Sequence, residues 1–201
     1  ALRPFDLDAK GALEGTRGER KYGLQLDAKG PLSAFEAAFT GAEGGLEGGG
    51  KARIAPFDAS SPLRALSVKL AGLDLSAFSK SPQTKLSVEA ELVPSGDLLL
   101  AGPVKIANAA PGPLDRNLVP VASLAANLAV AKDGALKARG LEALFAGGGS
   151  AKGDLAWARG KLDAALDVKG LDLLAWYTPL RATALGGVIR ADVTGDAQSF
   201  T

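Results

Sequence analysis

The sequence predicts an all-β protein built as a long antiparallel meander. Three observations carry that prediction. Apolar residues alternate with polar ones over most of the chain, the period of a strand with one buried face. Gly or Asp-Gly turns recur roughly every 8–12 residues, as hairpin connections require. Hydrophobic residues make up 47% of the 201-residue chain but aromatic ones only 5%, with 26 Gly and 11 Pro. Large cores draw much of their buried area from aromatic rings, so this composition suits a thin structure.

In chain order, the first clear run is Tyr22, Leu24, Leu26 and Ala28. Leu66, Val68 and Leu70 form the next. Leu86, Val88, Ala90 and Leu92 alternate with Ser87, Glu89 and Glu91, and a Pro94-Ser95-Gly96-Asp97 turn follows. Leu98 and Leu100, then Val104 and Ile106, continue the pattern. Leu124, Ala126, Leu128 and Val130 are closed by Lys132-Asp133-Gly134. Leu162, Ala164, Leu166 and Val168 begin after Arg159-Gly160, and Ile189, Ala191 and Val193 end the series. The Leu, Val and Ile members from Leu66 onward are the side chains expected to line an apolar surface.

A weak repeat is superimposed. Gly72-Leu73-Asp74-Leu75-Ser76-Ala77-Phe78 matches Gly170-Leu171-Asp172-Leu173-Leu174-Ala175-Trp176, with a looser copy from Lys29 to Phe35. Leu32, Phe35 and Phe39 have near-helical spacing, so short helical turns are expected at all three places, covering one edge or end of the sheet. At about 12 residues per strand and turn the chain allows roughly 14–17 strands, a sheet about 70–80 Å long. Such a sheet must fold into a sandwich, close into a barrel or curl into a trough. One elongated repetitive domain over residues 1–201 is expected, read as a piece of a longer chain.

Catalytic constellations lack parts. With no His and no Cys there is no Ser-His dyad, thiol nucleophile or imidazole ligand. Asp6 with Asp8, and Asp163 with Asp167, lie in alternating segments whose outward residues are polar in any case. Residues Gly45 to Lys51 fit a phosphate-loop spacing, but Ala52 stands where a hydroxyl should hold Mg²⁺ and Pro56 argues against the following helix. Gly45 to Lys51 is therefore expected to be a turn or bulge, and so is Gly147-Gly148-Gly149. No enzyme activity and no cofactor are expected. Lys+Arg and Asp+Glu balance at 23 and 22, without the basic footprint of a nucleic-acid binder. The apolar-richest stretch, 118–131, is interrupted by Pro120, Ser123 and Asn127, so no segment is expected to span a bilayer as a helix.

The stretch from Val104 to Leu124, with its core Asn108-Ala109-Ala110-Pro111-Gly112-Pro113-Leu114-Asp115-Arg116, resembles the AsmA-like/TamB family of Gram-negative envelope proteins. The similarity continues through Gly153-Asp154-Leu155-Ala156-Trp157, Val168 to Leu173, Pro179 to Thr183 and Gly195 to Phe200. It covers residues 86–201; residues 1–85 agree in texture only. The resemblance implies a periplasmic β-taco, a curled sheet whose interior carries phospholipid acyl chains between the inner and outer membranes. It also implies a parent protein anchored in the inner membrane by an N-terminal helix, an Omp85-type partner of the TamA kind, and outer-membrane protein or autotransporter clients. No catalytic residue carries over. The Pro-Gly-Pro-Leu-Asp-Arg block becomes a turn or strand crossing, since neither proline can donate within a ladder, with Asp115 and Arg116 pairing locally. The alternative is a structural β-repeat of adhesin or passenger type, with a sealed core.

Overall fold

The computed structural model describes residues 5–17, 20–43, 45–59, 62–77, 81–194 and 197–200. Every strand pairs antiparallel with its sequence neighbours, giving one 13-stranded sheet in chain order. The strands are β1 (Asp6–Arg17), β2 (Arg20–Pro31), β3 (Phe35–Glu43), β4 (Glu47–Ile54), β5 (Leu63–Leu73), β6 (Leu86–Ser95) and β7 (Leu98–Asn108). There follow β8 (Val121–Ala131), β9 (Leu136–Phe145), β10 (Ser150–Ala158), β11 (Lys161–Leu171), β12 (Leu185–Thr194) and β13 (Ala197–Phe200). The count falls below 14 because residues 74–85, 109–120 and 172–184 form long connections rather than turns. At ~4.8 Å per strand the sheet runs about 60 Å.

The sheet curls into a taco-like groove and does not close, since no ladder joins β1 to β13. Its chain exposes 12464 Å², against about 8,800 Å² for a compact globule of this mass. Curling is visible where β1 touches the 3₁₀ turn Leu75–Ala77 beyond β5; in a flat sheet β1 and β5 lie roughly 19 Å apart. Bulges supply the bend. In β9, Arg139 and Gly140 occupy the interval where β10 offers only Asp154, and the register shifts there. Gly140 takes φ +58°, and its freed N–H donates to Asp154 Oδ1 at 2.8 Å. Gly153 on β10 has φ +157°, and a Cβ there would run into the carbonyl of Ala165. Only glycine serves at such a crease.

Two of the three repeat copies form short helical turns, the 3₁₀ turn Leu75–Ala77 and helix α1 (Leu173–Trp176). The third does not. A turn closed by Ala34 N–H to the Pro31 carbonyl leads straight into β3, and Phe35 and Phe39 share a face because a spacing of four also satisfies period two. The phosphate-loop segment is not a turn over its length, since Glu47 to Lys51 pair as part of β4, whereas Gly147 and Gly148 fall in the 3₁₀ turn Ala146–Gly148 with Gly149 just beyond it.

Candidate functional site

Cross-strand register gathers the alternating residues into continuous apolar rows on one face. One row runs Gly11, Leu26, Phe39, Gly50, Val68, Ala90, Val104 and Ala126 across β1 to β8. A second runs Leu70, Val88, Ile106, Leu124, Ala143, Ala151 and Val168 across β5 to β11. A third joins Leu100, Val130, Leu136, Trp157 and Leu162, with the backbone of Val193 opposite Leu162; the Val193 side chain lies outside the described residues. Leu66 faces Leu92, Leu86 faces Leu73, Leu128 faces Ala138, and Leu166 faces Ile189. Because directly opposed residues share a face, these side chains form one surface.

Leu98 is the exception. A bulge between Leu98 and Leu100 shifts β7 by one residue, pairing Leu98 with Ser95 and Ala131. One residue of slip exchanges the faces, so Leu98 stands on the outer side.

Burial along the apolar face is graded. Leu70, Leu92 and Leu100 are only 4–7% exposed, whereas Leu13 and Leu26 near β1 reach 51% and 43%, and Ile189 on β12 reaches 41%. Not one described side chain is fully sealed. The face is therefore deepest over the middle strands and open toward both ends.

A meander alternates its connections between two rims, and here the rims differ. The long connections 74–85, 109–120 and 172–184 and the 3₁₀ turn Ala146–Gly148 share one rim, while the tight turns around Gly96, Gly134 and Gly160 share the other. The long connections are tied into a roof. Gln83 N–H donates to the Asn117 carbonyl at 2.8 Å, and Ala146 N–H to the Pro120 carbonyl at 2.8 Å. Buried Asn108 accepts from the amides of Lys85 and Ala110, both at 3.1 Å. Phe145 meets Trp176 edge to face, with ring centroids 5.1 Å apart. The Trp176 indole N–H, buried, finds no acceptor among the described residues. Beneath the roof lies an apolar recess of about 190 Å³ lined by Leu75, Leu86, Ile106, Val119 and Leu124.

The two helical turns of the repeat, Leu75–Ala77 and α1, are each held by the same Asp–Thr lock. Thr183 Oγ1 donates to the Leu171 carbonyl and accepts from Leu173 N–H, both at 2.9 Å, while Thr183 N–H donates to Asp172 Oδ1 at 3.0 Å. Thr84 repeats this with Leu73 O, Leu75 N–H and Asp74 Oδ1, at 3.2, 2.9 and 3.2 Å. The repeated Gly-Leu-Asp-Leu is thus a structural repeat. Its threonines escaped sequence reading because they stand ten or eleven residues beyond their aspartates; the Ser81-Pro82 and Thr178-Pro179 pairs between them were the available signal. Asp115 also departs from expectation. Its carboxylate accepts from Thr178 N–H at 2.9 Å and from the Thr178 hydroxyl, so two of the three long roof loops are bonded directly. The Thr178 hydroxyl and amide hold the Asp115 carboxyl below its ordinary value.

The outer face is polar, with a charge row of Lys69, Glu89, Lys105, Glu142, Lys152 and Asp167. Lys152 lies 2.6 Å from Glu142 and Lys69 lies 3.6 Å from Glu89; exposed pairs of this kind contribute ~0–1 kcal/mol and keep the face wet. Two broad furrows of about 690 and 540 Å³ run along it, meeting at Ser87 and Glu89. A twisted sheet is saddle-shaped, so the polar face is hollow across the strands even where the apolar face is hollow along them. Asp163 and Asp167 project on this exposed side. Among the described residues no cluster of metal-ligating side chains occurs, and no helix is long and apolar enough to cross a membrane.

No family model, no curated protein and no solved structure matches this chain.

Proposed function

We propose that this chain is a TamB-like periplasmic segment whose apolar groove conducts phospholipid acyl chains between the inner and outer membranes. The observation that supports this reading best is the apolar surface continuous over the sheet, on which the described residues lay no second layer. A globular core closes around such a surface, since leaving apolar area wet forfeits about 25 cal/mol per Å². A protein that keeps the surface accessible from both ends of the sheet gains from an apolar guest lying along it. Small aliphatic side chains in long rows suit a flexible hydrocarbon chain, which needs no hydrogen-bond partner. Assembly of outer-membrane or autotransporter proteins with a TamA-like Omp85 partner belongs to the same proposal and draws its support from the Asn108–Arg116 resemblance.

Photo-crosslinking tests the groove. A benzophenone side chain is placed at Val88 or Leu124 on the apolar face and at Glu89 or Ala125 on the outer face, and the protein is irradiated with phospholipid vesicles. Mass spectrometry should find phospholipid adducts from the first pair and few from the second. Equal labelling of both faces, or none at Val88 and Leu124, would refute acyl-chain carriage and leave a sealed structural repeat.

A further inference from the structure

The roof carries a feature that groove chemistry does not use. Leu114, Leu174, Tyr177 and Leu180 are 52%, 41%, 44% and 44% exposed. They belong to the two loops joined by Asp115 and Thr178, so they are held on one patch of one rim. Arg116 and Arg181 are exposed beside them. The acids of the same loops remain ionised but are held in place by local donors: exposed Asp115 accepts from Thr178, and Asp172 accepts from the amides of Leu174 and Thr183. The surface therefore presents Leu, Tyr and guanidinium groups beside two carboxylates fixed in position by their hydrogen bonds. At the other rim of these same strands the turns present Asp97, Lys132, Asp133 and Arg159, all exposed, around glycines.

We infer that this patch docks the protein onto the surface of a bilayer containing anionic phospholipid, with Leu114, Tyr177 and Leu180 entering the headgroup–acyl boundary and Arg116 and Arg181 meeting phosphate. Tyr at the headgroup level, aliphatic side chains just below it and Arg alongside match the layered polarity of a membrane interface. Four half-exposed side chains fall well short of the ~800 Å² per partner of a stable protein interface, whereas shallow insertion of ~5–10 Å requires only a few. The two rims then meet different surroundings: the roofed rim of the C-terminal half faces lipid and the turn rim faces water. The inference does not depend on acyl chains occupying the groove, because docking is read from vesicle binding alone.

The chain has no Cys, so single labels can be placed cleanly. An environment-sensitive fluorophore is attached at Leu180→Cys and, separately, at Lys132→Cys on the opposite rim. Each protein is mixed with phosphatidylcholine vesicles with and without phosphatidylglycerol, and binding is measured by flotation. The label at position 180 should shift to the blue on anionic vesicles and that at 132 should not. In the unlabelled protein Leu114→Ser/Tyr177→Ser/Leu180→Ser should weaken vesicle binding by at least roughly tenfold, and Arg116→Gln/Arg181→Gln by roughly thirtyfold. Circular dichroism checks that these surface variants remain folded. Absence of vesicle binding by the parent chain, equal shifts at 180 and 132, or unchanged binding in both variants would each overturn the inference. So would a concentration-dependent dimer, abolished by the triple substitution, in place of vesicle binding.

Discussion

Replacing Thr183 by Val removes the hydroxyl of the second lock while keeping its shape. Two hydrogen bonds vanish, from Thr183 Oγ1 to the Leu171 carbonyl and from Leu173 N–H to that oxygen, both 2.9 Å in the parent. Each is worth about 1 kcal/mol net, with the cost rising where the abandoned partner stays buried. Thr183 and Leu173 are half-buried, so water can reach part of the gap, and about 2 kcal/mol is expected. For a chain of this size that lowers Tm by roughly 4–8 °C. Thr183→Ser keeps the hydroxyl and should cost under ~1 kcal/mol. Thr84→Val should behave alike, since its oxygen joins Leu73 and Leu75 in the same way. Because sheets built from neighbour contacts open in parts, thermal unfolding should be accompanied by amide exchange, where Leu173 and Thr183 lose protection before β8 and β9 do. If the Val and Ser variants lose the same stability, the hydroxyl is not what holds the roof, and the lock is refuted.

Three further outcomes follow from the fold. Gly153→Val forces a side chain against the Ala165 carbonyl from a backbone with φ +157°, and should destabilise by about 2–4 kcal/mol in urea titration; an unchanged midpoint would mean the crease tolerates an ordinary residue. Leu128→Glu places a charge on the half-buried apolar face and should leave the far-ultraviolet dichroism intact while abolishing phospholipid adducts at Leu124, whereas global unfolding would indicate a sealed core. The bonds from Thr178 hold the folded Asp115 pKa below its ordinary 3.8. A depressed carboxylate stabilises above the unfolded value and loses that contribution as pH falls through the folded one. Amide exchange at Thr178 should therefore be protected above about pH 4 and speed beyond the intrinsic trend below it, and Asp115→Ala should abolish the protection; a Thr178 amide indifferent to that substitution would contradict the bond.

Period-two alternation is a local property, so the sequence alone determined that the chain is all-β and which side chains of each strand share a face. Val88 with Ala90, and Leu166 with Val168, needed only their neighbours to declare it. Turn chemistry, too, was legible in Gly96-Asp97, Lys132-Asp133-Gly134 and Arg159-Gly160. The tertiary structure decided whatever depends on a partner far away in the chain. The bulge that turns Leu98 outward arises from pairing with both β6 and β8, and no alternation within β7 announces it. The Asp172–Thr183 lock spans eleven residues and the Asp115–Thr178 bond spans 63, distances over which side-chain identity carries no register. The curl rests on glycines whose φ angles become necessary only where a neighbouring strand's carbonyl closes in. Composition limited the chain to a thin apolar sheet; the unequal rims, one roofed and one bare, emerged when the long connections met one another in space.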